Sequence, residues 1–178
     1  NQWLIRLADE FLNIANLEQG NTKYYLSMID ILSLTDRVIK ELAPRVQQKG
    51  LQLHWVQPFQ PLSAHVDEEK VRTVLFNLID NAIRYSETGT ITITAIEEDR
   101  GISVRVYDEG LGFGDEDYPR LFQKFSRGTN AHSTNVHTSK GLGLYLVRKF
   151  IEGHGGKVWA KSEGLGKGSE FGFWVPEK

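Results

Sequence analysis

Two carboxamides four residues apart, Asn77 and Asn81, interrupt an otherwise apolar run, VRTVLFNLIDNAIRYS, between Val71 and Ser86. Four residues is one helical turn, so the pair stacks on one side of a helix, and Arg84 and Tyr85 follow one turn later on or beside that stripe. Asn is a mediocre helix former because its side chain competes for backbone hydrogen bonds. Two of them here ask for an outside partner, a metal ion or a phosphate, since amide oxygens are hard ligands suited to Mg²⁺. The plain alternative is a pair of satisfied, half-exposed amides.

Asp108 is the second candidate. Ile102, Val104 and Val106 share one face of a strand, and strict alternation puts Asp108 on that face too. A carboxylate aimed inward at a strand end needs a partner, unless it merely starts a turn. Gly110, Gly112 and Gly114 follow it in DEGLGFGD. Missing side chains at alternate positions let a flat or anionic ligand lie against backbone. The residue three beyond Gly112 is Asp115, so the dinucleotide-fold glycine motif is absent, and no P-loop motif occurs.

The third candidate is the run Lys140-Gly141-Leu142-Gly143-Leu144, which opens a helix reaching about Glu152 with Leu146, Val147, Phe150 and Ile151 toward the core. Glycines at a helix start leave N–H groups and the positive dipole end open to a phosphate, although tight packing on a strand selects small residues as well. Ahead of it, LFQKFSRG carries Phe122, Phe125, Lys124 and Arg127, and residues 129–139 are polar and aperiodic. A loop of that length is either a functional lid or disorder. His132 and His137 lie in it without nearby carboxylates, a poor setting for a metal.

The elements that must position these residues can be read in order. Leu4, Leu7, Phe11 and Ile14 form the narrow seam of a helix from Asn1 to Glu18 that pairs with other helices, and Gly20 stops it. The chain starts mid-helix with no capping residue, as a piece of a longer chain would. A strand over Tyr24–Ile31 is expected next, then a helix started by Ser33 and Asp36, lined by Leu34, Val38, Leu42 and Val46, bent at Pro44 and ended by Gly50. Leu51–Val56 reads as a strand; Pro58 and Pro61 break the chain, and Asp67 with Glu68 and Glu69 caps the Asn-bearing helix. A hairpin spans Thr90–Ile96 and Ile102–Tyr107, and strands at Lys157–Ser162 and Glu170–Val175 close the chain. His154, just past the last helix, reads as a capping or packing residue.

With 40% hydrophobic and 25% charged residues and a net charge of -2, the chain has no general basic surface for nucleic acid, so anion binding must be local. It has no cysteine, which excludes disulfides, thiol catalysis and Cys-ligated metals and suits a reducing compartment. No apolar run approaches the ~20 residues of a membrane span.

In this order, the N-x-x-x-N helix, D-x-G-x-G after a strand, an F-x-x-F segment with a polar loop, and G-x-G-L opening a helix resemble the catalytic, ATP-binding domain of sensor histidine kinases, in the superfamily of gyrase, the Hsp90 chaperones and MutL. The match runs from about Tyr25 to Pro176. The leading helix, residues 1–20, resembles the end of the dimerisation bundle that precedes such domains, leaving 21–178 as the ATP-binding domain. The resemblance implies an α+β fold, a two-layer α/β sandwich with a mixed, mostly antiparallel sheet covered on one face by helices.

It also implies roles. Asn81, and with it Asn77, would hold Mg²⁺ or the phosphates, Arg84 would reach the phosphates, and Tyr85 would lie beside the nucleotide. Asp108 would accept a hydrogen bond from the adenine amine, Gly110 and Gly112 would admit the base, and Lys140, Gly141, Leu142, Gly143 and Leu144 would border the triphosphate. Phe122–Ser139 would be the lid over ATP. None of His54, His65, His132, His137 and His154 sits in the family's phosphoacceptor box, so the γ-phosphate would pass to a histidine on the helical bundle outside this chain. Implied partners are ATP, that bundle, a response regulator and, in the full-length protein, a second copy, with no nucleic acid. The implied location is cytoplasmic, on a full-length chain that can still be membrane-anchored. An ATPase or clamp carries a Glu where Asn77 stands, and an anti-sigma serine kinase normally lacks the leading helix; a degenerate nucleotide-sensing module is the remaining rival.

Overall fold

Alternation along the strands and three-to-four spacing along the helices resolve into two layers. The computed structural model describes residues 2–126 and 141–178, without the side chains of residues 2, 3, 6 and 7. In chain order its elements are α1 (Gln2–Glu18), β1 (Ser27–Asp30), α2 (Ile31–Gln48), β2 (Gln52–Val56), β3 (Ser63–Val66), α3 (Glu68–Tyr85), β4 (Thr90–Glu98), β5 (Gly101–Asp108), a single 3-10 turn (Tyr118–Arg120), α4 (Gly143–Gly153), β6 (Lys157–Lys161) and β7 (Ser169–Pro176). Five strands form one sheet in the order β2-β4-β5-β7-β6, with β1 and β3 making a separate antiparallel pair. Only the β2–β4 edge of the large sheet is parallel.

Helices α2, α3 and α4 cover one face of that sheet. Val71, Val74, Leu75, Leu78, Ile79, Ala82 and Ile83 of α3 and Leu146, Val147, Phe150 and Ile151 of α4 pack on Ile91 and Ile93 of β4, Ile102, Val104 and Val106 of β5, and Phe173 and Val175 of β7. Each such side chain, fully removed from water, contributes about 1.5–3 kcal/mol before chain entropy is subtracted. The core therefore fixes α3 against β5, which is what places the Asn row beside the Asp108 strand end.

Among the described residues no helix covers the other face of the sheet, which is roofed by its own side chains. Trp159 lies over Gly172 and Trp174 over Gly101: a Cβ on either glycine would come within 2.3 Å of ring or backbone atoms. Arg105 stands 5.8 Å from the Trp159 ring and Lys157 5.8 Å from that of Trp174. The indole N–H groups donate to Glu170 Oε1 at 2.9 Å and to the Glu98 carbonyl at 3.0 Å. A bulky residue and a glycine on neighbouring strands thus share one layer of space.

Several boundaries differ from expectation. The first strand is confined to Ser27–Asp30, and α2 starts at Ile31 rather than at a Ser33–Asp36 signal. Asp30 is the cap: its carboxylate accepts the Leu32 and Ser33 amides and the Ser33 hydroxyl, so Ser33 serves inside the first turn. α2 continues as one helix through Pro44, which sits on the exposed side where a missing N–H is harmless. β3 was not foreseen, because Ser63–Val66 is short and hidden behind two prolines. In α1 the seam divides: Ile14 is buried and Leu17 packs on the domain core, while Leu4 and Phe11 are 49% and 44% exposed. Leu7 of that seam lies outside the described side chains. Among the described residues no helix is long and apolar enough to cross a membrane.

Candidate functional site

The site is built along α3. Asp67 is its N-cap, buried and accepting the Lys70 amide at 3.1 Å, the Lys70 ammonium at 2.9 Å and the Tyr25 amide at 2.9 Å. Burial alone would raise the Asp67 carboxyl, but these donors outweigh it and hold it below the usual carboxylate range. The Asp67 amide in turn donates to His154 Nε2 at 2.9 Å, whose Nδ1 lies 2.6 Å from the Phe150 carbonyl. His154 is therefore a neutral structural tie between α3 and the end of α4, with burial pushing its pKa down.

Asn77 and Asn81 lie one turn apart on the same side, as expected. The Asn77 carboxamide donates to the Thr73 carbonyl at 2.9 Å, and its oxygen faces Gly143, where a Cβ would come within 2.6 Å. Asn81 is half-buried, and its carboxamide has no hydrogen-bond partner among the described residues. Two turns beyond Asn77, the Tyr85 carbonyl accepts the Leu111 amide at 3.0 Å. Gly110 is pressed on that same carbonyl, with 2.3 Å to a hypothetical Cβ. From Asn77 to Tyr85 is about 12 Å along the helix axis, at 1.5 Å per residue. One wall thus meets the start of α4 at one end and the glycine turn after β5 at the other.

Asp108 occupies the second of these ends. It is 2% exposed on the inward face of β5, as alternation required. Oδ1 accepts the Gly110 amide at 2.9 Å and Oδ2 accepts the Ser169 hydroxyl at 2.6 Å. Burial pushes its carboxyl above the usual range against the pull of these donors and of the Ser169 amide. A carboxylate has about four acceptor sites, so one is left for a ligand N–H. Gly112 has φ +61° and abuts the Gly164 carbonyl, so the turn admits no side chain there. Ser162 holds that turn, accepting the Phe113 amide at 3.1 Å and donating to the Gly168 carbonyl at 2.7 Å.

At the first end, α4 begins with Leu142 in the cap position, which supplies no side-chain acceptor, and there is no acidic residue in the first turn. Gly141, at φ +67°, is pressed on the Ser126 backbone. Leu142 is buried and Leu144 packs on the core, so of the G-x-G-L run these two offer a ligand only backbone. Phe122 packs edge-on to Phe171 at 6.3 Å, and Lys124 pairs with Glu18 of α1 and stands 5.2 Å over the Tyr145 ring. Residues 127–139 of the expected lid, with His132 and His137, and Lys140 lie outside the described residues.

Arg84 departs from expectation. Its guanidinium is not turned to the Asn row but donates to Asp80 at 2.7 Å, an i,i+4 pair on the adjoining row, and Arg45 of α2 pairs with the same carboxylate. Sequence reasoning missed Asp80 as that competing partner, although its spacing from Arg84 gave the signal. It also missed Ser169, which only the β5–β7 register brings opposite Asp108.

Residues 66–178 match the family model described as histidine kinase-, DNA gyrase B- and HSP90-like ATPase. The adaptive-response sensory kinase SasA of Synechococcus sp. is 38% identical over 145 residues, covering 80% of this chain and 37% of that protein. The sensor histidine kinase WalK of Bacillus subtilis (strain 168) is 28% identical over 178 residues, covering 98% of this chain and 29% of that one. This chain thus spans about a third of the curated relatives it matches. Full-length ShkA, solved in complex with AMPPNP, superposes with a TM-score of 0.83 at 29% identity, covering 97% of this chain and 35% of that chain. An inward carboxylate at one end of α3 and an amide row leading to an uncapped helix start at the other agree with that match, and the chain belongs to the family of histidine kinase-, DNA gyrase B- and HSP90-like ATPases.

Proposed function

We propose that this chain is the ATP-binding catalytic part of a two-component sensor histidine kinase, delivering the γ-phosphate of ATP to a histidine on a helical bundle outside it. The observation that carries the reading is the shared wall: Gly110 seated on the Tyr85 carbonyl beside Asp108, and Gly143 seated on Asn77, on one rigid helix. Asp108 accepts the adenine amine, which gives the buried carboxylate the donor its desolvation calls for. The open first turn of α4 takes the phosphates, and residues 1–20 lead from the bundle into the domain.

Magnesium fits the residues present. Asn81 presents a hard amide oxygen, and among the described residues that oxygen has no partner and no group of three His, Asp or Glu side chains could cage a metal, so phosphate and water oxygens complete the shell. When bound, the ion neutralises developing phosphate charge. The chain's own part is positioning: Asp108 fixes the base, the α3 wall fixes its distance from the phosphates, and the helix dipole of α4 favours their charge. Asn77 is an amide and cannot act as a general base, so water is not activated and direct hydrolysis is slow. The same reading brings a response regulator and a second copy of the full-length protein as partners, and a cytoplasmic location where ATP is available.

Calorimetric titration with AMPPNP and Mg²⁺ tests this. The chain is expected to bind, and Asp108→Ala and Asn81→Ala each to weaken binding by about tenfold or more, on the order of 1.4 kcal/mol. Incubation with labelled ATP should leave no acid-labile phosphate on this chain. Absence of AMPPNP binding, or a brisk ATPase rate lost in Asn77→Ala, overturns the reading.

A further inference from the structure

The last turn of α3 is held from outside the helix, by a lysine of α2. α3 ends without a glycine: Ser86 is extended, at φ -101° and ψ 129°, and its amide closes on the Ala82 carbonyl. The carbonyls of the final turn therefore need donors from elsewhere, because a helix end leaves its last acceptors without intrahelical partners. Lys49, the C-cap of α2, meets three of the carbonyls there. Its ammonium donates to Ile83 O at 2.7 Å, Arg84 O at 3.0 Å and Ser86 O at 2.8 Å. The carbonyl these three bracket, Tyr85 O, is left for the Leu111 amide, and it is the surface on which Gly110 rests. One turn before Lys49 on the same face of α2, Arg45 grips Asp80 of α3. The end of α2 is thus a two-cation clamp, one cation on an α3 side chain and the other on the negative end of its dipole.

We propose that Lys49 is a positioning residue for the nucleotide: by fixing the last turn of α3 it sets the register between that helix and the glycine turn after Asp108, and so the span from base end to phosphate end. This rests on the nucleotide reading of the site. Lys49 touches no ligand. It acts through Tyr85 O, Leu111 N and Gly110 on where the glycine turn sits along α3, and Asp108, whose Oδ1 is bonded to the Gly110 amide, moves with that turn as one unit. Its ammonium is drawn below the ordinary lysine range mainly by burial, with Glu87 opposing, which fits a group committed to carbonyls rather than to water.

A ligand that engages both ends at once is sensitive to their spacing, whereas its separate parts are not. In the Lys49→Met variant, MgAMPPNP should bind about tenfold more weakly, while adenosine alone and magnesium tripolyphosphate alone each change by less than about twofold, because only the linked ligand reports the register. Lys49→Arg, which keeps the cation, should recover most of the loss. Hydrogen exchange supplies a second measurement in Lys49→Gln: the Leu111 amide should exchange at least about tenfold faster while Leu78, mid-helix, keeps its protection. Equal weakening of all three ligands, unchanged MgAMPPNP affinity in Lys49→Met, or unchanged Leu111 exchange overturns the proposal. If the unaltered chain fails to bind MgAMPPNP, the nucleotide reading falls by itself, and Leu111 exchange still decides whether Lys49 sets the joint.

Discussion

Helices α3 and α4 begin in opposite ways. α3 starts under a buried Asp67 that accepts three donors, with Glu68 and Glu69 behind it, so its positive dipole end is fully answered by the protein. α4 starts under Leu142 with no side-chain cap and no acidic residue, with Gly143 left small against Asn77. The same physical need, an anion for exposed amides, is met by the protein's own carboxylates at one helix and, on the proposed reading, by a ligand's phosphates at the other. On that reading the difference separates stability from function: the capped start holds the fold together, and the uncapped start forgoes stability to keep a place for phosphate.

Breaking the capped start should have the largest effect on stability and the least on binding. Asp67→Ala removes the acceptor for two amides and the counter-charge of Lys70, which is largely buried. It should cost about 2–4 kcal/mol in denaturant unfolding, leaving the nucleotide affinity of the folded fraction within about twofold. Altering the uncapped start should do the reverse. In Gly143→Ala the new methyl meets Asn77 Oδ1, yet alanine favours the helix by up to about 1 kcal/mol, so unfolding stability should change little while MgAMPPNP affinity falls about tenfold. A fall in stability without a fall in affinity would erase the contrast.

The smallest effect lies in pH. Asp108 has its pKa raised by burial, so the native state holds its proton more tightly than the unfolded chain. The associated stability is complete below the ordinary 3.8 and is lost as pH rises through the native value. Asp108→Asn should therefore raise the melting temperature of the ligand-free chain at neutral pH, and the gain should shrink as the solution is acidified toward that value. His154 has the opposite sign: its native pKa is lowered, so its stability is present above 6.5 and lost on acidification. Melting curves of Asp108→Asn and His154→Gln across pH 4–8 should accordingly bend in opposite directions from the unaltered chain.

Local periodicity made much of this legible. The α3 face, the α4 face and the inward Asp108 are consequences of periods 3.6 and 2, which neighbours in sequence impose on each other. The Asp67 cap was visible for the same reason. What stayed hidden depends on residues far apart in the chain. Ser169 reaches Asp108 only through the β5–β7 register, and Lys49 reaches the carbonyls of residues 83, 84 and 86 only because α2 packs beside α3. Asp30 displaced the expected Ser33–Asp36 start because a strand delivers it in extended geometry at the helix end. Arg84 shows a different failure: a resemblance assigned it a ligand, and a carboxylate one turn away holds it first.

The tryptophans roofing the open side of the sheet have a practical consequence. Trp159 and Trp174 sit with glycines and cations on the face turned away from α3 and α4, whereas Trp55 of the edge strand β2 packs on the core beside Ile93 and Trp3 belongs to α1. With Trp3 and Trp55 replaced by phenylalanine, the emission of Trp159 and Trp174 should report melting of the sheet and stay almost silent when a ligand enters on the helical side. Optical unfolding curves and a separately labelled nucleotide can then be followed in one cuvette without crosstalk.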